Sequence, residues 1–178
     1  MIKITFLGTS GNFPSIKRNH PAMLLTYKGE NILIDCGEGT QRQFRIAEIS
    51  PTKITRILIT HWHGDHVLGI PGLIQTLAFS NYNKTLFIYG PKGTKKHMKD
   101  LLNAFPSIGG IKIKVEEVNG KFLETGEFYL ESKPMLHGIS CNAYCFIKKG
   151  QLRIDKNKLK KSKLSAGPLL QRLKEEKT

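Results

Sequence analysis

The chain is short of acid. Fourteen Asp and Glu stand against 28 Lys and Arg in 178 residues, a net charge of +14 at pH 7. A balance this basic points to a polyanion as partner, nucleic acid ahead of an anionic membrane surface. Cysteine is scarce as well. Cys36, Cys141 and Cys145 form an odd set with no Cys-x-x-Cys spacing, which fits a reducing cytoplasm. Cys141 and Cys145 frame an apolar, strand-like run, so buried thiols are expected there rather than zinc ligands. No apolar run is long enough to span a bilayer, and no signal peptide precedes the first strand. A membrane-surface role would want an amphipathic basic helix, and the basic end of the chain is poorly patterned for one. The length suffices for one domain with a real core.

What is present is concentrated in one stretch. Ile57-Leu58-Ile59-Thr60 leads directly into His61-Trp62-His63-Gly64-Asp65-His66, so four metal-ligand-type side chains fall within six residues. Imidazole and carboxylate both ligate zinc readily. In an extended segment residues i and i+2 point the same way, so His61 and His63 can grip one ion together. Gly64 allows a sharp turn. Asp65 and His66 then fall on its far side, toward a second position. The spacing suits two metals side by side, an arrangement that stabilises both oxygens of a phosphoryl displacement. The rival reading is a histidine-rich surface loop, and nothing structural asks for such crowding.

The rest of the chain reads as alternating strands and helices, an α/β pattern. Residues 2–7 read as a strand and 8–20 as a loop. Residues 21–28 and 31–35 read as a hairpin around Lys28-Gly29-Glu30. Residues 37–49 read as a helix closed by Pro51. Strand 55–60 delivers the cluster. Helix 73–79, strand 85–89, helix 93–102, strand 111–116, strand 121–131 broken at Gly126, and strand 143–147 follow. His97 reads as an exposed residue among lysines, and His20 as structural or superficial. His137, at a strand end before Gly138, would by itself be an ordinary hydrogen-bonded histidine.

Several further motifs change that view of His137. They are Ile4-Thr5-Phe6-Leu7-Gly8-Thr9-Ser10-Gly11, then Pro14 with Arg18-Asn19, and Leu33-Ile34-Asp35-Cys36-Gly37-Glu38-Gly39-Thr40-Gln41. Gly69-Ile70-Pro71-Gly72-Leu73, Tyr89-Gly90-Pro91-Lys92-Gly93, His137-Gly138 and Gly167-Pro168 complete the set. With the histidine cluster, and over essentially the whole chain, they resemble the ribonuclease Z (tRNase Z) family of the metallo-β-lactamase superfamily. The resemblance implies a metallo-β-lactamase-like αββα sandwich. It also implies a zinc-dependent endoribonuclease that removes the 3′ trailer from precursor tRNA, with two zinc ions per complete site. By position, His61, His63 and His137 match the ligands of one zinc, and Asp65 and His66 match ligands of the other. Asp65 also matches the proton acceptor, and Asp35 an outer carboxylate that orients the ligands. The family's substrate loop reads P-x-K-x-R-N. Here it is Pro14-Ser15-Ile16-Lys17-Arg18-Asn19, with the lysine one place late, which leaves Lys17 and Arg18 as the candidate RNA contacts.

A second departure concerns what is missing. Family members run longer. Their bridging aspartate, a histidine that assists the leaving group and a last histidine ligand all lie past the point where this sequence stops. After His137 there is no histidine, and the acids are Asp155, Glu175 and Glu176. The expectation is therefore an N-terminal half, residues 1–147, whose apolar sheet face is covered by a partner. That partner is a second copy (a homodimer) or a separately encoded C-terminal half; a truncated sequence or a degraded gene is the third possibility. Residues 148–178 hold 11 Lys and Arg against three acids, so +8 of the total charge sits there. The resemblance makes this part of a tRNA-clamping arm, with Lys160, Lys161, Lys163, Gly167 and Pro168 as contacts. Such lysines act through phosphate charge rather than base identity. The alternatives are a solvated tail on a non-catalytic RNA-binding fragment, or a metallo-phosphodiesterase of another substrate.

Overall fold

The computed structural model describes residues 1–105, 110–150, 155–161 and 168. Strands β1 (Ile2–Gly8), β2 (Ala22–Tyr27) and β3 (Glu30–Ile34) form an antiparallel meander. Helix α1 (Thr40–Ile46) and a 3₁₀ turn at Pro51–Lys53 lead to β4 (Arg56–Leu58). Helices α2 (Gly64–Val67) and α3 (Ile70–Phe79) precede β5 (Thr85–Gly90), and α4 (Thr94–Asn103) precedes β6 (Lys112–Glu117). Strands β3, β4, β5 and β6 run parallel, and the first sheet has the order β1-β2-β3-β4-β5-β6. Strands β7 (Gly120–Glu124), β8 (Phe128–Met135) and β9 (Cys141–Lys148) form a second, antiparallel sheet. Helix α5 spans Lys156–Lys161.

The parallel strands carry apolar side chains on both faces, as burial on both sides demands. One face of the first sheet, with Leu24, Leu33, Ile57 and Ile88, packs on Phe44 of α1, Leu73 and Leu77 of α3 and Met98 of α4. The opposite face, with Tyr27, Ile32, Leu58 and Tyr89, packs on Phe128 and Leu130 of the second sheet. The layers are thus helix, sheet and sheet, the α/β sandwich expected. Tyr27 meets Phe128 and Phe146 edge-on, with centroids 6.1 and 5.4 Å apart.

Three strands cannot cover six. Ile2, Ile4 and Phe6 lie opposite Tyr27, Leu25 and Met23 in register, so they share the inner face. They are 41%, 51% and 68% exposed. Among the described residues the inner face is therefore bare at its β1 end.

Element boundaries differ from the sequence reading in instructive places. The helix expected over 37–49 is confined to Thr40–Ile46. Gly39 lies in the left-handed region at φ 75°, and Glu48 at φ 56° stops the other end, where Ile49 N–H returns to Phe44 O at 2.9 Å. Helix α3 begins at Ile70, three residues early, because Pro71 fits the first turn of a helix. The strand expected over 121–131 is two strands, and β8 continues to Met135. The buried thiols expected in β9 are corrected: Cys141 is partly buried and Cys145 is exposed. Alternation turns Cys145 to the outer face beside Glu131, while Asn142, Tyr144 and Phe146 face the sandwich. Lys163 and Gly167, and the side chain of Lys160, lie outside the described residues; Lys161 and Pro168 are exposed. No helix among the described residues is long and apolar enough to cross a membrane.

The bare inner face and the closed helical face should respond differently to mutation. Ile57→Ala, at a position with no exposure, should cost about 2–5 kcal/mol. Phe6→Ser should cost no more than about 1 kcal/mol. Urea unfolding of the 178-residue chain measures both. A large loss for Phe6→Ser would mean that the face is covered in solution.

Candidate metal centre

The site lies where β3 and β4 end, at the seam between the two sheets. Asp35 follows β3 and has φ 56°, a left-handed conformation that a short acidic side chain tolerates better than most. This backbone turn aims the carboxylate at the end of β4. Its Oδ1 accepts the Thr60 N–H at 2.7 Å. Its Oδ2 accepts the Thr60 hydroxyl at 2.8 Å and His66 Nδ1–H at 2.7 Å. A buried carboxylate needs such donors, and three are present. The following Gly37 is required by close packing, since a β-carbon there would lie 2.2 Å from Asp65 O. Cys36 N–H donates to His66 O at 2.8 Å, which ties the β3 turn to α2.

The histidines converge from two places. His61 and His63 come from the β4–α2 connection, and His137 from the β8–β9 connection. A bridge pairs His61 with Cys141, and Asn142 N–H donates to Thr60 O at 2.8 Å, so the start of β9 is docked against the motif. His61 Nε2 lies 3.1 Å from His63 Nδ1, which lies 3.5 Å from His137 Nε2. The ligating nitrogens of the three residues all fall within 4.8 Å of one another. Tetrahedral zinc, with Zn–N bonds of about 2.0–2.1 Å, sets ligand nitrogens roughly 3.3 Å apart. The three imidazoles fit that demand.

The hydrogen bonds also set which nitrogens are free. Thr60 Oγ1 donates to Asp35, so it accepts from His61 Nδ1–H, 2.9 Å away. His61 Nε2 is left with its lone pair toward His63. His66 Nδ1–H donates to Asp35, which leaves its Nε2 facing Asp65 Oδ2 at 3.5 Å. His66 Nε2 and the Asp65 carboxylate therefore face a second position together. The ring of His66 lies 4.1 Å from that of His61. Burial, helped by the neighbouring His66, pushes His61 down to about 4, so it is neutral and able to ligate. Burial also works against a charged His66, but its hydrogen bond to Asp35 and the charges of Asp35 and Asp65 outweigh this and leave it raised.

The remaining predicted residues are placed as follows. Lys17 and Arg18 are exposed on a tight turn closed by Ser15 N–H and Arg18 O at 2.9 Å. His20 is buried, with Nδ1 3.1 Å from Gly11 O, and holds that loop down. His97 is exposed as expected, yet not solvated on all sides: its ring lies 5.0 Å from Trp62. Sequence reasoning passed over Thr60, which relays Asp35 to His61, and Thr94, which accepts a hydrogen bond from Trp62. Position beside His61 was the available signal for Thr60; for Thr94 there was none.

Comparison with known proteins agrees with this architecture. A protein-family profile described as "Anti-Pycsar protein Apyc1" matches residues 2–112. Ribonuclease Z of Thermococcus kodakarensis is 44% identical over 177 residues, covering 99% of this chain and 56% of the relative. Human tRNase Z, short form, superposes with a TM-score of 0.72 at 27% identity, covering 85% of this chain and 66% of that one. The metallo-β-lactamase fold protein YhfI from Bacillus subtilis shares the fold, with a TM-score of 0.67 at 21% identity, covering 82% and 57% of the two chains. The chain spans about half the length of the curated relatives it matches.

The depressed value of His61 has a measurable consequence in metal-free protein. A free histidine titrates near 6.5, and His61 in the fold near 4. Between those pH values the unfolded chain binds the extra proton, so stability falls as pH drops. His66, being raised, acts in the opposite sense: its contribution is present below 6.5 and lost as pH rises through its folded value. His61→Gln should flatten the loss of stability between pH 6.5 and 4, read from urea midpoints without metal. An unchanged slope would remove His61 as its source.

Proposed function

The chain belongs to the family described as "Anti-Pycsar protein Apyc1", on the metallo-β-lactamase fold and with relatives named ribonuclease Z, and on that premise we propose that it is the metal-binding half of an endoribonuclease removing the 3′ trailer from precursor tRNA. The observation that carries this reading is the three-imidazole set of His61, His63 and His137, with the His61 tautomer set through Thr60 and Asp35. His61, His63 and His137 would hold one zinc ion, and Asp65 and His66 part of a second. When bound, the metal supplies Lewis-acid charge at the scissile phosphate and lowers the pKa of water. Asp65 takes the proton of the attacking water and orients it. Asp35 holds the ligand rings in place. Lys17 and Arg18 meet substrate phosphates from the loop, and the basic segment 148–178 with Lys160, Lys161, Lys163, Gly167 and Pro168 grips the tRNA away from the cut. The protein works in the cytoplasm.

A partner, a separately encoded half, would cover the inner face that is bare at β1. A homodimer is the other arrangement, distinguished by mass in solution. The alternative activity, hydrolysis of a different phosphodiester, would need the histidine cluster and not the basic segment 148–178.

Three measurements test this. His63→Ala should lower the zinc bound per chain, and unchanged stoichiometry would remove His63 from the ligand set. The isolated chain with zinc should cut precursor tRNA weakly or not at all, and a complementary half should restore cutting. Robust trailer removal by the chain alone would sink the need for a partner, and preferential cleavage of a small phosphodiester would favour the alternative. Deleting the residues after Ile147 should weaken tRNA binding and reduce the slope of log K against log salt by about 0.7–0.9 for each phosphate no longer neutralised. An unaltered slope would make the segment a solvated appendage.

A further inference from the structure

The segment that carries His61 and His63 leaves the first sheet before it reaches them. The β4 ladder ends at Leu58, and Ile59 N–H makes one more sheet-like bond, to Tyr89 O at 2.8 Å. Thr60 is held by Asp35, and the chain is caught again where His66 N–H returns to His63 O at 3.0 Å. Between the two histidines lies Trp62. Its Nε1–H donates to Thr94 Oγ1 at 2.9 Å.

Thr94 is a firm anchor. It opens α4 and is fully buried. Its hydroxyl sits so close to Gly90 that a β-carbon on that glycine would come within 2.2 Å of it. The start of α4 is itself clamped, because the N–H groups of Gly93 and Lys95 both donate to Glu117 Oε1 at 3.1 Å. One turn along the helix, His97 lays its ring against the indole, with centroids 5.0 Å apart and a tilt of 35°. Thr94 and His97, three apart and so on one helix face, form a jaw around Trp62.

We infer that Trp62, gripped by Thr94 and His97, is a positioning residue that sets the spacing of His61 and His63, and with it the affinity of the three-imidazole site. Side chains alternate along an extended segment, so fixing the side chain of the middle residue fixes the two that point the other way. The inference rests on reading the cluster as a metal centre. Partners of this kind, which touch no metal, change metal affinity by about 10–100-fold when removed.

The test uses the full 178-residue chain and cobalt(II) or zinc(II), with affinity read by competition against a chromophoric chelator. Thr94→Val keeps the shape and removes the acceptor; Thr94→Ser keeps the acceptor. Thr94→Val should bind metal about tenfold more weakly or worse and alter the visible spectrum of bound cobalt, while Thr94→Ser restores both. The two variants should melt alike without metal. Trp62→Phe, which keeps a ring and loses the donor, should behave as Thr94→Val and serves if Thr94→Val does not fold. Equal affinity of Thr94→Val, Trp62→Phe and wild type overturns the inference and leaves the metal centre standing. So does affinity that falls for Thr94→Val and Thr94→Ser together, in step with their melting temperatures. A wild-type chain that takes up no metal overturns both.

Discussion

One buried carboxylate organises the site. Asp35 joins three segments that are distant in sequence: the end of β3, the residue before His61, and His66 in α2. Its hydrogen bonds do more than position these groups. By accepting from His66 Nδ1 directly, and from His61 Nδ1 through the Thr60 hydroxyl, it turns the Nε2 side of both rings toward the site. A metal centre needs its imidazoles in that orientation, and an isolated cluster of histidines has no means of imposing it. The cost is a non-glycine residue at φ 56° and a carboxylate removed from water, both tolerated because the donors are in place.

The centre lies where two layers of the fold meet. Its residues lie at the carboxyl ends of parallel strands, where open α/β sheets place their ligand sites, and at the seam where the second sheet meets the first. His137 and the start of β9 reach the cluster from the second sheet. The bare strip of Ile2, Ile4 and Phe6 lies on the inner face of the same sandwich. The helical face is closed, since Leu33, Ile57, Leu73 and Leu77 are without exposure.

How much of this was legible beforehand varies with the distance over which each feature is decided. The extended run leading into His61 and His63 was readable because two-residue alternation is a local signal, whereas the sharp turn expected at Gly64 is the start of helix α2. The helix of residues 37–49 was overdrawn, because left-handed residues at Gly39 and Glu48 leave no mark in apolar periodicity. Cys145 was misplaced because a strand's apolar content does not say which of its faces the sandwich covers. His97 was read as a solvated lysine neighbour; its packing on Trp62 depends on the crossover that brings α4 beside the motif.

The sequence by itself determined the metal-ligand cluster, the extended approach that pairs His61 with His63, and the charge that favours a polyanion, since each is carried by neighbouring residues or by composition. Only the tertiary structure decided the rest. It brings His137 across 74 positions to within 3.5 Å of His63, routes Asp35 through Thr60 to His61, and sets Thr94 under Trp62. The physical reason is that these contacts are made where strand ends, a helix start and a second sheet converge, and that convergence is a property of packing rather than of any window of sequence.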